Sequence, residues 1–94
     1  MRVRWLRTAL ANLDSEALYI SKDNPSAASS TVTAIVRAVD NLKNYPAMGR
    51  SGRVTGTREL AVPGTSYIVP YRVRADVIEI LRVFHGARKW PEQF

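Results

Sequence analysis

No cysteine occurs among the 94 residues, which excludes both a disulfide framework and thiolate metal ligation. A single histidine is too little for a histidine-rich metal centre, and nothing in the chain calls for a cofactor. Long apolar runs are also missing. No stretch approaches the roughly 20 residues that cross a bilayer, and the basic opening at Arg2, Arg4 and Arg7 leads into no continuous apolar run of the signal-peptide kind. The expectation is a cytoplasmic protein without a membrane partner. Acidic residues are few, 8 against 14 lysines and arginines.

The resulting formal charge of +6 favours an anionic partner, either nucleic acid or an acidic protein segment, because a summed positive field steers such partners into contact. A merely soluble basic surface is the simpler alternative. With 46% hydrophobic and 23% charged residues, the composition is that of a folded chain. The length suits one domain over residues 1–94, with a single small core.

Arg2-Val3-Arg4-Trp5-Leu6 alternates polar with apolar as a strand with one buried face does, and Thr8 offers a hydroxyl to cap a following helix. From Ala9 to about Lys22, Leu10, Leu13, Ala17 and Ile20 recur at helical spacing. Asp23-Asn24-Pro25 stops that helix and starts another, since proline disfavours helix at the residue before it and fits the first turn after it. From Pro25 to Asn44 the stripe is Ala28, Val32, Ile35, Val39 and Leu42. Tyr45 to Gly56 carries Pro46, Gly49, Gly52, Gly56, Arg50 and Arg53, a composition that predicts a basic loop and the most mobile segment of the chain.

Three strands then follow, Thr57 to Val62, Tyr67 to Arg74 and Val77 to Phe84, with turns at Pro63-Gly64-Thr65 and Arg74-Ala75-Asp76. Pro70 is tolerated in a strand only at an edge or a bulge. The predicted class is α+β: an N-terminal strand, a helical hairpin, then a three-stranded antiparallel meander. The hairpin covers one sheet face, the first strand joins an edge, and the opposite face stays partly open.

The run from Pro46 to Leu60, with Gly56-Thr57-Arg58-Glu59-Leu60 its most distinctive part, resembles the loop-to-strand segment of toxins of the RelE/ParE superfamily. Tyr71-Arg72-Val73, and Ile80 through Pro91 with its Arg82, His85, Arg88, Lys89 and Trp90, resemble the last two strands and tail of that superfamily's ParE branch. Asp23-Asn24-Pro25 is a third matching point. The resemblance covers nearly the whole chain. It implies a toxin of a type II toxin-antitoxin pair, held inactive by an antitoxin whose C-terminal segment wraps around it. Members of the ParE branch poison DNA gyrase; members of the RelE branch are ribonucleases that cut messenger RNA at the ribosome.

A metal-free ribonuclease needs a base at the 2′-hydroxyl, an acid at the leaving oxygen and cations against the developing phosphate charge. The resemblance puts Ile68 where RelE-like nucleases carry a phosphate-binding arginine. His85 falls where some of them carry a catalytic histidine, with Arg58, Arg82, Arg88 and Lys89 as possible cations. No catalytic residue is assigned; His85 is the candidate if the chain is a nuclease, and a backbone hydrogen bond is its ordinary alternative.

For partner or target binding the candidates are Arg58, Tyr67, Tyr71, Arg72, Arg82, His85, Arg88, Lys89 and Trp90. Arg58 either pairs within the toxin or meets the antitoxin. Tyr67 and Tyr71 are core aromatics or a contact surface. Trp90, in the basic tail closed by Phe94, is either tucked against the sheet or a contact hot spot. The expectation is a gyrase inhibitor that binds an acidic, partly apolar antitoxin and meets DNA only indirectly through that complex. The alternatives are a ribosome-dependent ribonuclease and a weakly toxic antitoxin-binding partner.

Overall fold

In the computed structural model, which describes residues 1–87 and 89–94, the chain runs β1 (Arg2–Trp5), α1 (Arg7–Ser21), α2 (Pro25–Asn41), β2 (Arg50–Ser51), β3 (Arg58–Ala61), β4 (Tyr67–Arg74), β5 (Val77–Ile80) and β6 (Phe84–His85). The sheet order is β1-β5-β4-β3-β2, with β6 also pairing with β4. The expected α+β class holds. Val3 and Trp5 alternate inward, and β1 takes the edge beside β5, in parallel.

Helix α1 begins directly as β1 ends, and here the expected cap at Thr8 is corrected. The Leu6 N–H still donates to the Ile80 carbonyl at 3.0 Å, yet Leu6 is already the cap residue, with no side-chain capping bond. Thr8 therefore lies within the first turn. The buried stripe is also rotated: Ala9 and Leu13 are buried, whereas Leu10 is exposed. Helix α2 starts as its sequence predicts, with the Asn24 side chain accepting from the Ala27 N–H at 3.0 Å and Pro25 in the first turn. Its inward positions Ala28, Ile35 and Val39 are buried, as is Leu42 just beyond its end.

The two helices cover one face of the sheet. Leu60, Val69, Tyr71, Ile78 and Ile80 meet Ile35, Val39 and Leu42 there in a single core.

The last expected strand is not continuous. Tyr71 pairs with Ile80 and Ile68 with Phe84, so Val69 and Pro70 face one residue too many in the segment 81–83, which is a bulge. Pro70 sits opposite that bulge, where the ladder is interrupted anyway. Its carbonyl accepts from the Leu81 N–H at 3.0 Å. The displaced Val83 N–H is satisfied by Asn12 Oδ1 of α1 at 3.1 Å, so a polar residue on the helix completes a hydrogen bond that the sheet lost.

The segment read as a loose basic loop contains β2 and is fastened to the sheet. The Tyr71 hydroxyl donates to the Pro46 carbonyl at 2.7 Å and accepts from the Gly49 N–H at 2.9 Å. Arg58 Nη1 donates to the Gly49 carbonyl at 2.8 Å. Gly49 is required for this approach, because a Cβ there would lie 2.6 Å from Tyr71 Cε1 and 2.9 Å from the Glu59 carbonyl oxygen. On the face away from the helices, the tail returns over Phe84, with the Trp90 ring centroid 5.1 Å and the Phe94 centroid 6.3 Å from it. The β1-β5-β4 end of that face stays open.

Candidate functional site

Alternation along β3 sends Arg58 and Glu59 to opposite faces. Arg58 lies on the helix side, bonded to the loop carbonyls of Gly49 and Ala47. Glu59, with a side chain only 2% exposed, lies on the other. Its carboxylate accepts from Arg50 Nη2 at 3.0 Å, the Arg53 N–H at 2.8 Å and Arg53 Nε at 3.0 Å. Burial pushes the Glu59 carboxyl up, but the backbone and side-chain bonds from Arg53 and those from Arg50 outweigh it and hold it below the usual carboxylate value. The Arg53 guanidinium also lies 3.7 Å from the Trp90 ring centroid, a cation–π contact. One buried acid thereby gathers the loop cations and, through Arg53, the tail. The Trp90 indole N–H is buried without an acceptor among the described residues.

Tyr71 is fully buried and its hydroxyl is bonded on both sides within the chain. Burial, opposed by the Gly49 N–H and by Arg58, raises its phenol above the usual range. Tyr67 is raised by burial and by Glu16 and Tyr19. Both phenols are therefore protonated at neutral pH and neither supplies a base.

His85 is exposed at the end of the sheet, edge-on to Tyr67 at 5.6 Å, and its Nδ1 accepts from the Ala87 N–H at 3.2 Å. This is the ordinary backbone role. Arg58 and His85 are paired with Tyr71 and Tyr67 respectively, on opposite sides of β4 and four residues apart along it, and so are separated by roughly 16 Å. Arg82 donates to its neighbour Leu81's carbonyl at 2.6 Å and reaches the Phe94 ring. It shares a cleft of about 490 Å³ with Lys89, Trp90, Thr8 and Asn12. Arg82 and Lys89 are thus brought together; Arg58 and His85 are not. Ile68 faces Phe84 across the β4–β6 pair. Arg88 lies outside the described residues.

Arg72 donates to Glu79 at 2.7 Å, and Arg74 approaches the same oxygen at 3.8 Å. The Arg72 bond is the main reason the Glu79 carboxyl lies below its usual value. Among the described residues no group of three His, Cys, Asp or Glu side chains could hold a metal ion, and no helix is long and apolar enough to cross a membrane.

Two features had no residues assigned to them by the sequence reading, which expected a helical groove to stay open but did not place it. One is a groove of about 730 Å³ between the helices, lined by Ala17, the exposed Leu18, Pro25, Ala28, Val32 and others. Leu18 lies off the inward spacing of α1, and this was the signal for an apolar side chain on the groove. The other is the organising role of Glu59, a buried acid beside Arg58 in β3, visible in sequence only as an acidic residue following a run of cations.

Comparison with known proteins brings these features under one heading. The family model described as the ParE toxin of the type II toxin-antitoxin system parDE matches residues 3–90. The protein named "Putative toxin Y4kP" of Sinorhizobium fredii is 50% identical over 91 residues, covering 97% of this chain and 94% of its own. Toxin RelE2 of Caulobacter vibrioides is 33% identical over 87 residues, covering 93% and 97%. A chain of the chromosomal ParDE system from P. aeruginosa superposes with a TM-score of 0.80 at 32% identity, covering 90% of this chain and 95% of that one. The chain belongs to the ParE toxin family of type II toxin-antitoxin systems.

Proposed function

We propose that this toxin inhibits DNA gyrase rather than cleaving RNA, and that a cognate ParD-like antitoxin neutralises it. The observation that carries the first part is the dispersal of the nuclease candidates. His85 is exposed, bonded to its own backbone neighbour and a strand's length from Arg58. Ile68 takes the position that the resemblance gives to a phosphate-binding arginine. General acid–base catalysis needs its groups within hydrogen-bond reach of one reacting centre, and these residues offer no such centre.

The antitoxin reading is supported by the helical groove. Its wall carries the exposed Leu18 together with Val32, so an amphipathic helix has apolar anchors while the chain's net charge of +6 attracts an acidic segment. Leu18→Arg is expected to weaken the antitoxin complex at least about tenfold, read by titration calorimetry, with the fold intact by circular dichroism.

The direct test runs purified toxin in a gyrase supercoiling and cleavage assay beside a ribosome-programmed messenger RNA cleavage assay. Loss of supercoiling with trapped DNA breaks is expected. Cleaved transcripts with untouched gyrase would overturn the reading in favour of the nuclease, for which the Arg82 and Lys89 cleft is the supporting feature. His85→Ala is expected to stay fully toxic.

A further inference from the structure

The open end of the sheet face away from the helices is an arginine array. In the paired register, Arg2, Val77 and Arg74 form one row across β1-β5-β4, and Arg4, Glu79 and Arg72 form the next. Their side chains share a face, because partners across a ladder point the same way and Val3, Trp5, Ile78 and Ile80 on the alternate positions point into the core. Arg2, Arg4 and Arg74 are exposed. Glu79 is the carboxylate within the array; it pairs with Arg72 and approaches Arg74, and it offsets one of the four positive charges.

Beside this array lies a cleft of about 390 Å³, bounded by Arg72 and Arg74 on one side and by the turn residues Thr55, Gly56 and Thr57 on the other. Gln93 and Phe94 of the tail complete its wall, and neither the array nor the cleft is part of the helical groove. Arginines two apart on a strand are separated by about 6.6–6.8 Å, and the two columns stand roughly 9.6 Å apart. The array therefore offers four guanidiniums in a plane, set out to meet successive phosphates.

We propose that this face binds the sugar–phosphate backbone of duplex DNA without regard to sequence, with a phosphate entering the cleft beside Arg72 and Arg74. An acidic protein segment is disfavoured because the array lacks the apolar anchors that give protein interfaces their energy; those lie in the helical groove. A single strand is disfavoured because such sites stack bases on aromatic rings, and Phe94, the ring at the cleft's edge, is already against Arg82 and Phe84. Direct contact departs from the expectation that DNA is met only through the antitoxin. It goes beyond the gyrase reading and does not depend on it.

Fluorescence anisotropy of a labelled random-sequence duplex with the purified full chain tests this. Binding should weaken between roughly 50 and 200 mM salt with a log–log slope near −3 to −4, as three or four phosphate contacts require. The triple variant Arg2→Ser, Arg4→Ser, Arg74→Ser should bind at least about tenfold more weakly with a slope shallower by about three. It leaves Arg72 and its bond to Glu79 in place. The corresponding lysine triple, which keeps the charge, should restore most of the affinity, while Arg37→Ser on α2 should change nothing. No duplex binding at low salt, a serine triple that binds like the wild type, or tighter binding of single-stranded RNA or of an acidic peptide would each overturn the proposal.

Discussion

Arg53 stands between Glu59 and Trp90: its Nε meets the buried carboxylate at 3.0 Å, and its guanidinium lies 3.7 Å from the indole centroid. The loop after α2 and the C-terminal tail are therefore held by the same side chain. Arg53→Ala should free Trp90 while leaving the sheet intact. In a Trp5→Phe background, which leaves Trp90 as the one tryptophan, its emission should shift to the red. An unchanged spectrum would show that the tail does not depend on Arg53.

Glu59→Gln removes the charge that Arg50 and Arg53 share. Both arginines are substantially exposed, at 63% and 45% of their side chains, so solvent screens the pairs. The loss should fall toward the lower end of about 1–3 kcal/mol, measured by urea unfolding.

The pH dependence follows from the same carboxylate. The folded pKa of Glu59 lies below its ordinary 4.5, so below that value the unfolded chain binds protons that the folded chain does not. The contribution of Glu59 is complete above pH 4.5 and is lost as pH falls through the folded pKa. Glu79, lowered chiefly by Arg72, acts in the same direction. Thermal melting between pH 7 and 3 should show stability falling on acidification, and Glu59→Gln should flatten that fall. An identical profile in the variant would remove Glu59 as a cause.

Tyr71→Phe leaves the core filled but strips the loop of two hydrogen bonds, to Pro46 and from Gly49. A cost of about 1–3 kcal/mol is expected, since a backbone donor is left buried. Gly49→Ala should cost about as much by crowding the Tyr71 ring. The two losses should not add, because the phenylalanine no longer holds the loop against the glycine. A double-mutant cycle in denaturant reads the coupling.

Ala75, at the β4–β5 turn, has a positive φ of 52°. A left-handed backbone strains any residue with a Cβ, so Ala75→Gly should stabilise the protein by about 1 kcal/mol. A lower melting temperature would show that the turn relaxes in another way.

Helix α2 and strand β4 were legible in the sequence because their signals are local. Asn24 and Pro25 set the start of α2, and its apolar spacing follows the helical period. The bounds of β4 fall where alternation and turn residues put them. The resemblance at residues 46–60 and 80–91 likewise pointed to the family whose model matches residues 3–90. The bulge at 81–83 was not legible, because it exists only relative to Pro70 and is completed by Asn12, 71 residues from Val83.

The candidate surfaces divide in the same way. Which residues are basic, apolar or turn-forming is a property of each position, and it already implied an α+β domain with an anionic partner, to which the resemblance added the toxin family. Whether Tyr71 was a contact or a staple depended on Pro46, 25 residues away. Whether Arg2, Arg4, Arg72 and Arg74 formed one surface depended on a parallel pairing between the first strand and the fifth. Contacts of that range close large loops, and the partner is chosen by what the assembled core leaves unpaired rather than by the residues beside it in the chain.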